Sequence, residues 1–192
     1  MRKRRTAILI SGRGTNMMSL IEAAKEVDYP ADIRLVISNR PEADGLRRAD
    51  EAVLSAIAID HTDFSSRKAF ERELDAALTS HDIEFVACAG FMRILTPWFV
   101  NRWSGRMINI HPSLLPKYKG LNTHQRAIEA GDQDAGATVH WVCADVDAGD
   151  IIDQIVVPIP AGATVETLTA AVLNAEHILY PRALKKAVLA SL

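Results

Sequence analysis

The segment Ile83-Glu84-Phe85-Val86-Ala87-Cys88-Ala89, closed by Gly90, is, Glu84 aside, an apolar run of one strand's length. A central parallel strand, buried on both faces, requires such a run rather than an alternation of apolar and polar residues. Upstream, Thr6 to Ile10 and Ile33 to Ser38 read the same way, and Ala56 to Ile59 is a shorter third strand. Helical spacing fills the gaps. Met17, Leu20, Ile21 and Ala24 recur three and four apart, and Gly45 to Leu54 reads as a helix. Ser65 and Ser66 start another, with Ala69, Phe70, Leu74, Ala77 and Leu78 on its apolar face and an end near His81. This alternation predicts an α/β fold: a Rossmann-like, mostly parallel sheet flanked by helices.

Downstream of Gly90, Phe91 to Leu95 lies between a glycine and Pro97, so it is a loop or a single turn. It either lines an apolar cleft or packs under the next helix, a short one opened by Thr96-Pro97 and carrying Trp98, Phe99 and Trp103. The stretch Arg106 to Gly120, R-M-I-N-I-H-P-S-L-L-P-K-Y-K-G, then begins as a strand and is broken by Pro112 and Pro116. Thr123 to Ala130 is a helix ended by Gly131. After it the pattern changes: Thr138 and His140 alternate with Val139 and Trp141, and Ile151 to Ile159 is a second β-rich run. Asp145 to Asp150 connects them, which predicts an antiparallel C-terminal strand pair. From Ala163 a long amphipathic helix closes the chain over one sheet face.

At 192 residues, 48% hydrophobic and 24% charged, this is a single domain with a full core. A net charge of −2 offers no general field for nucleic acid or an anionic membrane. The basic opening Arg2 to Arg5 is not a signal peptide, because Ala7 to Ile10 is too short an apolar core. No stretch approaches the ~20 apolar residues of a membrane span. Cys88 and Cys143 have no metal-type spacing; they read as core residues of a chain kept in a reducing cytoplasm.

Asn109 and His111 stand two apart, hence on one face of their strand, where α/β sheets collect ligands outside the carboxyl ends of strands. The plainer reading is a turn cap and a satisfied loop histidine. Ser11 to Asn16, S-G-R-G-T-N, joins a strand to a helix whose free N–H groups suit a phosphate. It has neither the lysine of a P-loop nor the third glycine of the dinucleotide fingerprint, and a simple tight turn is the alternative. The acidic loop from Asp145 fails the calcium pattern, with glycine one place early and Val156 where glutamate is needed, so a solvated hairpin loop competes there. The six histidines show no zinc spacing, and neither a serine nucleophile motif nor a base beside Cys88 supports covalent catalysis. An amide donor, an imidazole and a loop carboxylate suit acyl transfer between two nitrogens. The tetrahedral oxyanion needs a fixed donor, and the leaving nitrogen needs a proton.

The chain resembles the phosphoribosylglycinamide formyltransferases, the folate-dependent enzymes of purine synthesis, over nearly its whole length. The matching motifs are S-G-R-G-T-N at 11–16, A-G-F-M-R-I-L at 89–95, I-N-I-H-P-S-L-L-P-K-Y-K-G at 108–120, D-V-D-A-G at 145–149 and A-E-H-I-L-Y-P at 175–181. The N-I-H-P-S-L-L-P stretch is specific for formyl transfer by 10-formyltetrahydrofolate and is shared with the methionyl-tRNA formyltransferases and the formyltetrahydrofolate deformylases. The resemblance implies that Asn109 holds the formyl oxygen, that His111 is the general acid, and that Asp147 keeps His111 protonated. It implies ribotide binding by Gly14, Thr15, Asn16 and Glu176. For the folate it implies Met92, Arg93, Ile94, Leu95, Asn109 and the loop of Cys143, Ala144, Asp145, Val146 and Asp147, with Arg67 meeting the glutamate tail or standing as a solvated helix charge. Residues 1–105 then form a ribotide phosphate-binding half and 106–192 a catalytic and folate-binding half. Formylfolate is a co-substrate, no metal is called for, and the partners are small molecules rather than nucleic acid or membrane, with a homodimer allowed for. Ala135, Asn122 and Ala148 depart from residues common in the family. A deformylase, whose relatives carry an N-terminal regulatory domain, and a noncatalytic ribotide- or folate-binding module are the competing expectations. The tRNA formyltransferases are longer chains.

Overall fold

The computed structural model describes residues 2–191. Seven strands form one sheet: β1 (Arg4–Ile10), β2 (Ala31–Ser38), β3 (Ser55–Ala58), β4 (Phe85–Cys88), β5 (Met107–His111), β6 (Asp134–Trp141) and β7 (Ile151–Pro158). Their order is β3-β2-β1-β4-β5-β6-β7. Pairing is parallel from β3 through β5 and antiparallel for β5-β6 and β6-β7. The helices are α1 (Thr15–Ala24), α2 (Asp44–Glu51), α3 (Arg67–Ser80), α4 (Pro97–Arg102), α5 (Thr123–Glu129) and α6 (Val165–Ala190). The mixed α/β sheet with an antiparallel end is the architecture that the sequence pattern predicts.

The central strands are apolar throughout because each feeds two cores. Ile8 and Ile10 of β1 pack with Met17, Leu20, Leu179 and Tyr180 on one face. Ala7 and Leu9 pack with Phe70, Leu74, Phe99 and Trp103 on the other. Local geometry trims several predicted elements. The run 83–89 contributes only Phe85–Cys88, since Ile83 N–H is spent on Leu78 O at the end of α3. The helix from 45 stops at Glu51, ahead of Val53 with its positive φ of 60°. β6 starts earlier than Ala137 because Ala135 and Gly136 already pair with Val157 and Val156. Cys88 is buried as expected, but Cys143 is a correction: it is half-exposed on a loop rather than in the core, its thiol directed to Asp145 O.

The basic opening of the chain also has a structural use. Lys3 Nζ donates to Ala24 O and Glu26 O at the end of α1, Arg5 Nε donates to Asp82 O just beyond α3, and Arg4 reaches Ser191 O at the end of α6. These cations meet helix carboxyl ends, where the backbone dipole favours positive charge. Lys3→Glu is therefore expected to cost about 1 kcal/mol, read as a fall of a few degrees in the thermal midpoint, with activity at 25 °C unchanged.

Candidate active site

Strand β5 ends in Asn109-Ile110-His111, and alternation turns Asn109 and His111 to one face while Ile108 and Ile110 go into the core. The antiparallel neighbour β6 pairs His140 with Asn109 and Thr138 with His111. Cross-strand partners share a face. His140 therefore joins the site, and Asn109 Nδ2 lies 3.3 Å from its Nε2. The other ring nitrogen, Nδ1, donates to Trp141 O at 2.9 Å, which leaves Nε2 facing the Asn109 amide. Sequence reasoning missed His140. Its signal was the alternation with Thr138, but only the register of β6 against β5 puts it opposite Asn109.

The carboxylate arrives from the loop between β6 and β7. Asp147 Oδ2 is 3.3 Å from His111 Nδ1, and Oδ1 is 3.6 Å from His140 Nε2. On its far side His111 Nε2 is 2.9 Å from Tyr118 O. Both nitrogens of His111 face acceptors, an arrangement satisfied in full only when each carries a proton. Gly120 N–H donates to Asp147 Oδ2 at 3.0 Å, tying the proline-broken loop after β5 to the loop after β6. Burial alone would push the Asp147 carboxyl up; the contact with His140, the Gly120 N–H and the charges of His111 and His140 outweigh it and hold the group below the usual carboxylate range. Asp147 has a positive φ of 49°, and two residues on Gly149 passes so close to β6 that a Cβ there would lie 1.8 Å from Trp141 O. The departure Ala148 sits between them, exposed and with no left-handed backbone, so its methyl is accommodated. Asn122 fills a left-handed position, φ 56°, that asparagine tolerates, and Ala135 is buried in the core.

On the other side of the site, Gly14 caps α1 with φ 70° and lies against Gly45, whose N–H donates to Gly12 O. Asn16, in the first turn, donates from Nδ2 to Glu176 Oε2 at 2.8 Å, while its Oδ1 is buried without a partner among the described residues. Two segments 160 residues apart are thus brought together. Thr15 stands between them at the first position of α1. Burial pushes the Glu176 carboxyl up to about 7, against the lowering effect of the Asn16 N–H. Between the ordinary glutamate value and about 7 the folded state holds a proton that the unfolded chain has lost, so this group makes stability fall as pH rises through that window. Glu176→Gln is expected to raise stability at pH 8 by up to roughly 3 kcal/mol, seen as a higher thermal midpoint, and to change it little at pH 4.5. Melting curves at the two pH values check it.

The predicted folate residues lie on two loops. Phe91–Leu95 follows β4 and presents Met92 and Ile94, 64% and 58% exposed. Arg93 lies over the Phe70 ring at 5.5 Å. Cys143 to Asp147 follows β6, with Ala144, Asp145 and Val146 exposed. Arg67 is exposed in the first turn of α3, one turn before the Phe70 ring that Arg93 covers, and makes no ion pair among the described residues. Among the described residues no cluster of His, Cys, Asp and Glu is arranged for a metal, and no helix is long and apolar enough to cross a membrane.

An amide, an imidazole and a carboxylate meeting where β5 ends, with the glycine loop of α1 nearby in the sheet order, suit acyl transfer between nitrogens, and similarity to known proteins places the chain among the formyl transferases. The family model of that description matches residues 4–184, and the chain belongs to it. Phosphoribosylglycinamide formyltransferases are among the proteins that the chain resembles. It is 44% identical to the phosphoribosylglycinamide formyltransferase of Escherichia coli, over 91% of this chain and 82% of that one. The crystal structure of the Brucella melitensis phosphoribosylglycinamide formyltransferase superposes with a TM-score of 0.94 at 45% identity, covering 97% of this chain and 96% of that one. The trifunctional purine biosynthetic protein adenosine-3 of Chironomus tentans is 46% identical over 95% of this chain, which spans only 14% of that longer protein. The phosphoribosylglycinamide formyltransferases are the family in which this chain falls.

Proposed function

We propose that the chain transfers the formyl group of 10-formyltetrahydrofolate to the amine of 5'-phosphoribosylglycinamide, giving formylglycinamide ribonucleotide and tetrahydrofolate in purine synthesis. The observation that carries this reading is the convergence of Asn109, His111 and Asp147, drawn from two distant segments, around one strand tip. The ribotide amine attacks the formyl carbon, and the bond from that carbon to the folate nitrogen breaks. Asn109, whose amide lies 3.3 Å from His140 Nε2, offers an N–H to the oxyanion. His111 gives a proton to the departing nitrogen, and the proton that the attacking amine sheds in becoming an amide restores the imidazolium. Tyr118 O holds Nε2, and at Nδ1 the Asp147 carboxylate supports the charged ring. The free N–H groups of α1 at Gly14, Thr15 and Asn16 suit the ribotide phosphate. Glu176 and the unpartnered Asn16 Oδ1 suit the amine-bearing end of the same molecule. Exposed Met92, Ile94 and Val146 suit the pterin's flat faces, and Arg67, on α3, suits the glutamate tail at longer reach.

In this reading residues 1–105 supply most of the phosphate site and 106–192 the catalytic groups. The substrates are small molecules, nucleic acid has no part, the compartment is the cytoplasm, and a homodimer is compatible. Following absorbance of formylfolate with purified protein tests it. Consumption that requires ribotide supports transfer; consumption without ribotide means a deformylase, and none means a binding module.

A further inference from the structure

Ser11 opens the same glycine loop as Gly14 to Asn16, yet nothing in the reaction just described uses it. It is buried at the tip of β1, and its hydroxyl has a fixed polarity. The O–H donates to Asn39 Oδ1, and the oxygen accepts the Met92 N–H at 2.7 Å. Asn39 is itself 1% exposed at the end of β2, and its backbone O takes the Nδ1–H of His61 at 2.8 Å. The far end of the Met92 loop is held in the same manner: buried Glu71 accepts the Thr96 N–H at 2.6 Å and also the Thr96 hydroxyl. Between these two anchors Met92 and Ile94 project into solvent. The backbone of that loop is therefore pinned from beneath, at one end by the chain that meets the ribotide.

We infer that Ser11 is a positioning residue that sets the folate-facing loop in register with the ribotide-facing loop, so that one buried hydroxyl aligns the two substrates' binding surfaces. The inference rests on the proposed formyl transfer for its choice of substrates. Physically, its strength lies in the pairing rules. With its proton spent on Asn39, Ser11 offers Met92 a lone pair, and removing the hydroxyl leaves a backbone N–H at the root of the loop with no partner. A loop released at one anchor loses the fixed placement of Met92 and Ile94, while Gly14 to Asn16 keep their own bonds to α1 and Glu176.

The test is Ser11→Ala in the full chain, with both Michaelis constants and the melting temperature measured. The expected result is a rise of about tenfold in KM for 10-formyltetrahydrofolate, equivalent to about 1.4 kcal/mol, with KM for the ribotide within about twofold and the melting temperature within about 3 °C. Ser11→Cys, which keeps a weak acceptor, should rise only about threefold. Asn39→Ala should move the same constant in the same direction, and Ser11→Ala with Asn39→Ala together should be no worse than Ser11→Ala alone, because the two act as one unit. An unchanged formylfolate KM in Ser11→Ala, equal shifts in both constants, or additive effects in the double variant would overturn the inference. If Ser11→Ala does not fold, Ser11→Cys and Asn39→Ala decide it by the same split. Should the wild-type protein show no transfer at all, the functional reading fails on its own; tetrahydrofolate dissociation constants for wild type and variants then test Ser11 independently.

Discussion

His111→Ala is expected to lower kcat by ~10²–10⁴-fold, while the dissociation constant of a non-reacting folate analogue stays within about threefold. The separation follows from where the imidazole sits. It is 6% exposed, wedged between Tyr118 O and the Asp147 carboxylate, and offers little surface to a ligand. Its contribution is confined to the moment at which the folate nitrogen departs, so its loss falls on the transition state rather than on binding. A matching loss in kcat and in analogue affinity would mean that the ring shapes the pocket rather than donates a proton. Steady-state kinetics with equilibrium titration of the analogue distinguish the two.

Asp147→Asn is expected to cut kcat by about 10²-fold at neutral pH, with its effect concentrated in the proton transfer and not in the fold of the loop. Asparagine can still accept the Gly120 N–H, so the tie between the two loops survives; what disappears is the negative charge beside His111. The pH dependence gives a second readout. The folded-state carboxyl is held below its ordinary value, so its stabilising contribution is present above the unfolded aspartate value and is lost as pH falls through the lower, folded one. The stability difference between wild type and Asp147→Asn should accordingly be largest near neutrality and shrink toward acid pH. A difference that grows on acidification would contradict the placement of the carboxylate between His111 and His140. Urea melts at several pH values provide the measurement.

These two variants also mark where sequence reading stopped. Asn109 and His111 were legible because a period of two is enough to place residues on one strand face, and a proline after the histidine ends the strand at that point. Glu176, and the choice of Asp147 among the acids of its loop, were reachable only through motif resemblance, since nothing local ties a mid-helix glutamate or one particular loop aspartate to a site more than thirty residues away. His140 escaped altogether. Its neighbours announce a half-buried strand, but its partner across the ladder depends on a register that the β6–β7 bulge at Val139/His140 and the approach of Gly149 to Trp141 help to set. Cys143 went the other way: its apolar flanks read as core, whereas β6 ends at Trp141 and releases it into the loop.

The order of apolar periods alone determined the α/β class, the parallel-to-antiparallel change near residue 130 and the delivery of an amide and an imidazole to one strand tip, because each follows from side-chain spacing within a few residues. Tertiary structure alone decided which groups meet: the Asp147 bridge between His111 and His140, the Asn16–Glu176 bond, and the Ser11 hydroxyl beneath Met92. Those contacts join segments tens of residues apart. Their geometry is set by strand register and close packing in three dimensions, quantities that no local period encodes.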